Sequence, residues 1–209
     1  MNYQLELEKT IDFVSKLEKK PTLLLHACCG PCSSYVLEYL NKYFDITILY
    51  YNPNIYPAEE YYRRKDELKK FLTEFMLGHN IKLVEDEYIP NDYYFAIKGQ
   101  EELGEKSRRC YSCYELRLER AVKYAKEHNF DYFTTTLSIS PYKVSDWINE
   151  IGGLLEQKYE VKYLYADFKK KNGYKRSLEL SSEYGLYRQD YCGCKFSKEA
   201  RERQIKKGD

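Results

Sequence analysis

The segment TLLLHACCGPC, from Thr22 to Cys32, carries the clearest structural pattern in the chain. Its first part, Thr22 to Ala27, is a short continuous apolar run after Pro21, which is typical of a buried strand. Pro31 suits the first turn of a helix, because proline fixes a helical φ angle and no backbone N–H is needed there. The segment therefore predicts a buried strand, a tight turn and a helix.

The rest of the sequence continues this alternation of strand-like and helix-like segments. Further strands are predicted at Ile46–Tyr51, Ile81–Glu85, Asp131–Leu137 and Val161–Tyr165, with apolar residues at helical spacing between them. The alternation predicts an α/β fold with a mostly parallel central sheet flanked by helices. Ligands of such sheets lie beyond the carboxyl ends of the strands, so we expect the turn after the first strand to belong to the functional site.

Composition and charge limit the possible classes of protein. The 209 residues contain no repeat and no stretch rich in proline, glycine or serine, so we predict a single domain over residues 1–209. The balance of 34 basic against 33 acidic residues does not mark a polyanion-binding protein. No segment resembles a signal peptide, and no apolar run approaches membrane-spanning length. We therefore expect a cytoplasmic protein that does not bind a membrane.

Cysteine usage is the strongest chemical signal in the sequence. The chain has seven cysteines in three clusters: Cys28, Cys29 and Cys32; Cys110 and Cys113; and Cys192 and Cys194. Paired cysteines in a reducing compartment are more often metal ligands or redox groups than structural disulfides. Four thiolates complete a tetrahedral metal site or a cubane iron–sulfur cluster, and the surplus thiols indicate a working centre.

Three kinds of centre fit these thiols. A zinc site built from two Cys-x2-Cys pairs uses only four of them. An iron–sulfur cluster uses the same thiolates, and the small residues Gly30 and Gly193 let backbone N–H groups approach its sulfurs. Thiol–disulfide exchange without a metal is the third possibility. The metal-binding quartet stays open between two sets: Cys110, Cys113, Cys192 and Cys194, or Cys29, Cys32, Cys110 and Cys113.

Polar residues next to the cysteine clusters are further candidates. Asp190 lies just before the third cluster, where it can complete a second metal site or cap the loop. His26 lies within the apolar strand, where we expect a hydrogen-bonded core histidine rather than a metal ligand. Asn52 and Asn54 follow the second strand, where they suit either substrate binding or the turn itself.

Several segments, taken in chain order, resemble one known family. They are HACCGPCSSYV, YYNPNIYPAEEYYRRK, RCYSCYELRLERA, TTTLSISPYK and LYRQDYCGCKFS, and they extend from about Leu25 to Ser197. This ordered set resembles the cobalamin-independent epoxyqueuosine reductases, the QueH family. The resemblance implies a fold similar to the adenine-nucleotide alpha-hydrolase-like (HUP) domains, and an oxidoreductase that converts epoxyqueuosine to queuosine at the wobble position of tRNA.

The resemblance also implies cofactors. These are a 4Fe–4S cluster and a second mononuclear iron. The electrons would come from a donor that the sequence does not identify. All seven cysteines are then expected metal ligands in loops at about 26–33, 108–114 and 188–196, with Cys28 and Asp190 as candidate catalytic residues. Metals suit this reaction because removing an epoxide oxygen requires C–O bond activation and two electrons. The alternative is a zinc-stabilised RNA-binding module or a thiol redox protein without epoxide chemistry.

A tRNA partner, rather than DNA, requires contacts to phosphates and bases near the cysteines. Arg108 and Arg109 adjoin the second cysteine cluster, and Tyr111 or Tyr114 can stack on an extruded base. The other candidate phosphate contacts are basic: Arg63, Arg64, Lys65, Lys169, Lys170, Lys171, Lys175, Arg176 and Arg188. Because the net charge is near zero, local patches must provide the attraction for RNA.

Overall fold

A five-stranded parallel sheet forms the centre of the protein. The computed structural model describes residues 1–75 and 80–208. The strands are β1 (Thr22–His26), β2 (Asp45–Tyr50), β3 (Lys82–Glu85), β4 (Tyr132–Thr135) and β5 (Lys162–Tyr163). Neighbouring strands are all parallel and lie in the order β3-β2-β1-β4-β5. The predicted α/β fold is confirmed, and this order is consistent with the expected HUP-like arrangement.

Helices cover both faces of the sheet. Within the described residues they are α1 (Tyr3–Val14), α2 (Gly30–Leu40), α3 (Ala58–Phe75), α4 (Pro90–Ala96), α5 (Arg108–Glu127), α6 (Ser145–Tyr159), α7 (Gly173–Glu183) and α8 (Lys195–Gly208). On one face α2 packs against α3 and α7, and on the other α5 packs against α6. The sequence did not predict α4 or α7. In the described part of the chain, no helix combines the length and apolar character that a membrane span requires.

The composition of β1 follows from this layered packing. Leu23 and Leu25 belong to the apolar cluster beneath α1, α2 and α3, whereas Leu24 belongs to the cluster beneath α5 and α6. Successive strand residues point to opposite faces of a sheet, and all three leucines are fully buried. An unbroken apolar run is therefore what a central strand with two covered faces requires.

The order of the strands reverses at the carboxyl end of β1. From β1 the sheet extends through β2 to β3 on one side and through β4 to β5 on the other. The turn after β1 meets the 3₁₀ turn Thr136–Ile139 that follows β4, with Cys28 Sγ lying 3.8 Å from Thr136 Oγ1. The first cysteine cluster therefore lies at the position where ligands bind in open α/β sheets, as predicted.

The second and third cysteine segments differ in their local structure. The segment 108–114, expected to be a loop, forms the first two turns of α5, which begins at Arg108. Cys110 and Cys113 are three residues apart in this helix and project from the same side. The segment 188–196 is largely irregular chain that leads into α8 at Lys195.

Candidate metal centre

The first cysteine cluster is a compact group of three thiols. The sulfurs of Cys28, Cys29 and Cys32 all lie within 4.8 Å of one another, and those of Cys28 and Cys29 are 3.8 Å apart. Two thiolates on a tetrahedral ion with metal–sulfur bonds of about 2.3 Å are separated by roughly 3.8 Å. The spacing of these thiols therefore fits a single metal ion.

The start of α2 shapes this group. Cys29 is the N-cap residue of α2, and its Sγ accepts a hydrogen bond from the backbone N–H of Cys32 at 3.4 Å. Pro31 occupies the first turn, as the sequence predicted. The N-terminus of a helix carries a partial positive charge, so this turn favours the thiolate form of its cysteines.

The three thiols hold their protons unequally. Hydrogen bonds from Cys29 and Cys32 lower the pKa of Cys28, and the charges of Lys143 and Arg117 act in the same direction. The thiol of Cys28 in turn raises the pKa of Cys29 to about 12, and it also raises the pKa of Cys32. Cys28 is therefore the thiol of the group that loses its proton most readily, and three thiols that can ionise are a donor set suited to capturing a cation.

The second and third cysteine clusters come together in space. Burial raises the pKa of the Cys110 thiol, and the neighbouring Cys192 adds to this rise. Burial likewise raises the pKa of Cys113 to about 12, with contributions from Cys192 and Cys194. Cys113 and Cys194 also belong to one buried cluster, and Cys110, Cys192 and Cys194 line one cavity. The structure thus favours one of the two predicted quartets: Cys110, Cys113, Cys192 and Cys194.

This quartet is spaced more widely than the group around Cys28. In the described ranges, Cys28, Cys29 and Cys32 are the only three cysteines whose sulfurs all lie within 4.8 Å of one another. A cubane cluster binds each thiolate to a different iron and therefore needs more room than a single ion. The alternative zinc quartet of Cys29, Cys32, Cys110 and Cys113 does not form such a compact group within those ranges.

A buried arginine indicates that the site is built for anionic groups. Arg117 is 2% exposed, donates from Nε to the carbonyl oxygen of Cys113 at 3.2 Å, and approaches Asn52 Oδ1 at 3.5 Å. Its Nη2 has no hydrogen-bond partner among the described residues, and no carboxylate there pairs with it. Burial opposes its charge, but the thiols of Cys113 and Cys192 raise the pKa of Arg117. An unpaired buried guanidinium is costly unless anionic thiolates compensate it, so a metal–thiolate centre fits these residues.

A second buried arginine holds the third cysteine cluster in place. Arg64 is 2% exposed and donates from Nε to Glu60 Oε1 at 2.7 Å. Its Nη1 and Nη2 donate to the carbonyl oxygens of Cys192 and Tyr191 at 3.1 and 3.3 Å. The expectation that Arg64 contacts a tRNA phosphate is therefore wrong, because its guanidinium is buried and already bonded within the protein.

A cavity of about 590 Å³ opens beside both thiol groups. Its lining includes Cys32 from the first cluster together with Cys110, Cys192 and Cys194, and Lys143 and Tyr114 also face it. Ligand cavities of proteins commonly have volumes of about 300–1,000 Å³, so this one has room for a nucleoside-sized group. A ligand held here would contact residues of both thiol groups.

Some of the other predicted site residues line this cavity. Arg109 does so while donating from Nη1 to the carbonyl oxygen of Glu101 at 2.7 Å. Arg188 lines it too, and its Nη1 donates to Ser181 Oγ at 3.0 Å. Asp190 is exposed at the cavity and accepts from Arg201 at 3.5 Å, outside the compact group of three thiols.

Other predicted residues lie beside the centre rather than along its cavity. Asn52 is buried, and its Nδ2 donates to the carbonyl oxygen of Ala27 at 2.9 Å. Asn54 is also buried, next to the third cluster. The guanidinium of Arg108 lies 4.5 Å from the ring centre of Tyr111, whose hydroxyl donates to a carboxylate of α6. Asn52 thus has the supporting contact of a turn residue, whereas Asn54 Oδ1 is buried without a hydrogen-bond partner among the described residues.

His26 is a core residue. Its Nε2 lies 3.0 Å from the carbonyl oxygen of Tyr51, and its Nδ1 lies 2.8 Å from Thr135 Oγ1. A carbonyl oxygen only accepts, so Nε2 carries the proton and Nδ1 accepts from the threonine hydroxyl. Burial lowers the pKa of His26 to about 4. Both ring nitrogens are occupied, which confirms the expected role of a hydrogen-bonded core histidine.

Three residues at the centre were not identified from the sequence. Arg117 lies in the charged helix α5, where a solvated position would look the same. Gln189 Nε2 donates to Cys29 Sγ at 3.2 Å and so links the third segment to the first cluster. Lys143 ends the SPYK motif, which was the one available signal for it.

Over most of its length the chain is similar to proteins of one family. The family profile described as "Epoxyqueuosine reductase QueH" matches residues 23–200. A protein of that name from Streptococcus pyogenes serotype M1 is 42% identical over 199 residues, which cover 94% of this chain and 78% of the relative. One from Staphylococcus epidermidis is 43% identical over 201 residues, covering 94% and 84%. One from Thermotoga maritima is 38% identical over 176 residues, covering 84% and 90%.

The matched region contains all three cysteine clusters, the buried arginines Arg64 and Arg117 and most of the residues that line the cavity. The similarity therefore extends over all the candidate metal ligands among the cysteines. On these grounds, the chain belongs to the QueH family of epoxyqueuosine reductases.

Proposed function

We propose that this chain reduces the epoxide of epoxyqueuosine in tRNA, giving queuosine, at a centre that contains two kinds of iron. The 4Fe–4S cluster would be held by the quartet Cys110, Cys113, Cys192 and Cys194, and the second iron by Cys28, Cys29 and Cys32. The observation that carries this proposal is the single cavity lined by thiols of both groups. A substrate in that cavity would be in reach of both irons.

The two groups of thiols suit different tasks. When bound, the cluster would supply electrons singly and the second iron would act as a Lewis acid. The compact thiol group leaves a ligand position open, because three thiolates do not complete a tetrahedral site. Asp190 is our candidate for an additional ligand, since its carboxylate lies along the same cavity.

The surroundings of the cavity favour an RNA substrate. Arg188 and Lys106 line it, and Arg108 is exposed nearby at the start of α5. A modified base must leave its loop to enter a cavity of this kind, and flanking phosphates would then meet these cations. The thiol of Cys192 is exposed, so we place the approach of the unidentified electron donor on this side of the protein.

The decisive experiment uses the full chain, purified and reconstituted with iron and sulfide without oxygen. It is reduced with dithionite and incubated with tRNA that carries epoxyqueuosine, and the nucleosides are then analysed by mass spectrometry. We expect loss of one oxygen from the modified nucleoside and iron in excess of sulfide. A protein that binds only zinc and tRNA, and leaves the nucleoside unchanged, would support the RNA-binding alternative instead.

A further inference from the structure

Lys143 is a lysine of the cavity to which the centre described above gives no role. It lies after the 3₁₀ turn that follows β4, and its neighbours Ser140, Pro141 and Tyr142 also line the cavity. The residue is half-buried, and within residues 1–75 and 80–208 its ammonium group has no hydrogen-bond or ion-pair partner. A partly buried cation without a partner is unfavourable unless a ligand or an anion faces it.

Lys143 lines the same cavity as Cys32 and Cys192, which belong to the two different sets of cysteines. Burial by itself would lower the pKa of Lys143, but the thiols of Cys192, Cys28 and Cys32 raise it. Cys192 belongs to the quartet, and Cys28 belongs to the compact group. The ammonium group therefore lies within electrostatic reach of both proposed metal sites, on the wall of the cavity that they share.

The other charged groups of the cavity are less suited to giving up a proton inside it. Arg109 and Arg188 are bonded to main-chain or side-chain oxygens of the protein, and a guanidinium does not release its proton in proteins. Lys106 and Asp190 are exposed at the edge. Lys143 is thus the partly buried amine among the described residues of the lining.

We propose that Lys143 is a catalytic residue of this centre, whose ammonium group hydrogen-bonds to the epoxide oxygen and protonates it as it departs. This rests on the proposed epoxide reduction. In the overall change two C–O bonds break, one C=C bond forms, and the oxygen leaves as water after gaining two electrons and two protons. The electrons come from a low-potential one-electron donor, for which dithionite serves in the assay. Lys143 supplies the first proton and water the second, and solvent then reprotonates the amine.

The test compares Lys143→Arg and Lys143→Ala with Lys19→Met, which alters an exposed lysine just before β1, at the opposite edge of the sheet. Arginine keeps the positive charge but is a poor proton donor. We expect Lys143→Arg to retain iron, sulfide and tRNA affinity within about 2-fold, whereas its single-turnover rate falls roughly 100-fold or more. Ethylamine should restore part of the rate of Lys143→Ala, whereas ethylguanidine should not.

Other results would overturn the role of Lys143. A Lys143→Arg rate within about 3-fold of the unaltered protein would mean that only the charge matters. Iron content or tRNA affinity that falls in parallel with the rate would mean that the residue is structural. The unaltered chain in the same assay separates the proposed function from the role of Lys143. If the unaltered chain does not convert the nucleoside, the proposed function is rejected. If both the unaltered chain and Lys143→Arg convert it normally, only the role of Lys143 is rejected.

Discussion

The guanidinium group of Arg64 donates a hydrogen bond to the main-chain carbonyl oxygen of Cys192 at 3.1 Å. The same side chain forms a buried ion pair with Glu60 at 2.7 Å. Helix α3 therefore supports the third cysteine cluster from the protein interior. The position of two proposed cluster ligands depends on a side chain that cannot itself bind the metal.

We expect Arg64→Met to destabilise the protein and to lower its iron and sulfide content. The substitution leaves the Glu60 carboxylate buried without its cation, which should reduce the free energy of unfolding by about 3–5 kcal/mol. Urea unfolding and iron analysis measure the two effects. The matched control is Arg63→Met, whose exposed guanidinium stacks on the Tyr187 ring and should cost about 1 kcal/mol or less. Equal losses of stability and of iron in the two variants would contradict a supporting role of Arg64.

A substitution at Gly193, between the two cysteines of the third cluster, also tests whether Arg64 holds this segment in place. The glycine's φ of +132° is a conformation that L side chains rarely adopt, and an added Cβ would lie 2.9 Å from Arg64 Nη1. Arg64 cannot move away without losing its bonds, so Gly193→Ala should destabilise the fold by roughly 1–3 kcal/mol. Gly104→Ala is the control, because nothing lies within 4 Å of its added Cβ. The measurement is the thermal unfolding of both variants with bound iron. A Gly193→Ala protein as stable as Gly104→Ala would contradict the predicted strain at Gly193.

Serine substitutions should separate the two proposed metal sites. Cys194→Ser removes a ligand of the quartet, so we expect sulfide to fall close to zero while about one iron per chain remains. Cys29→Ser should have the reciprocal effect, with sulfide retained and about one iron lost. Chemical iron and sulfide analysis, with paramagnetic resonance of the reduced proteins, distinguishes the patterns. Loss of sulfide in both variants would mean that the cluster uses thiols from both groups.

The unequal protonation of the first cysteine cluster predicts the pH dependence of metal binding. The raised pKa values of Cys29 and Cys32 mean that both must lose a proton on binding, whereas the lowered pKa of Cys28 favours its thiolate before the metal binds. Cobalt affinity should therefore rise about 100-fold per pH unit near neutrality and fall as the pH decreases.

Spectroscopic titration with cobalt checks this slope. The titration is best made in a Cys110→Ser/Cys192→Ser background, because these substitutions disable the quartet at its two less buried thiols. Adding Cys32→Ser should reduce the dependence to about 10-fold per pH unit. A dependence of about 1,000-fold in the first protein would show that Cys28 is also protonated before the metal binds.

Local patterns in the chain were sufficient for much of the fold. The apolar run of β1 and the proline at the start of α2 depend on near neighbours in the chain, and both predictions hold. The short helices α4 and α7 were missed, because their few buried residues leave a weak periodic signal. The segment 108–114 was expected to be a loop, although its Cys-x2-Cys spacing suits one side of a helix equally well.

Residue types and their order along the chain were enough to establish an α/β sheet, a thiol-rich centre after its first strand and membership of a family. Three-dimensional contacts were needed to group the cysteines. Cys110 and Cys194 are 84 positions apart in the chain, and they come near each other only because α5 packs against the chain before α8. The same holds for the buried charges of Arg64 and Arg117. An arginine on a charged helix looks solvent-exposed in one dimension, and its burial depends on which distant segments fold over it.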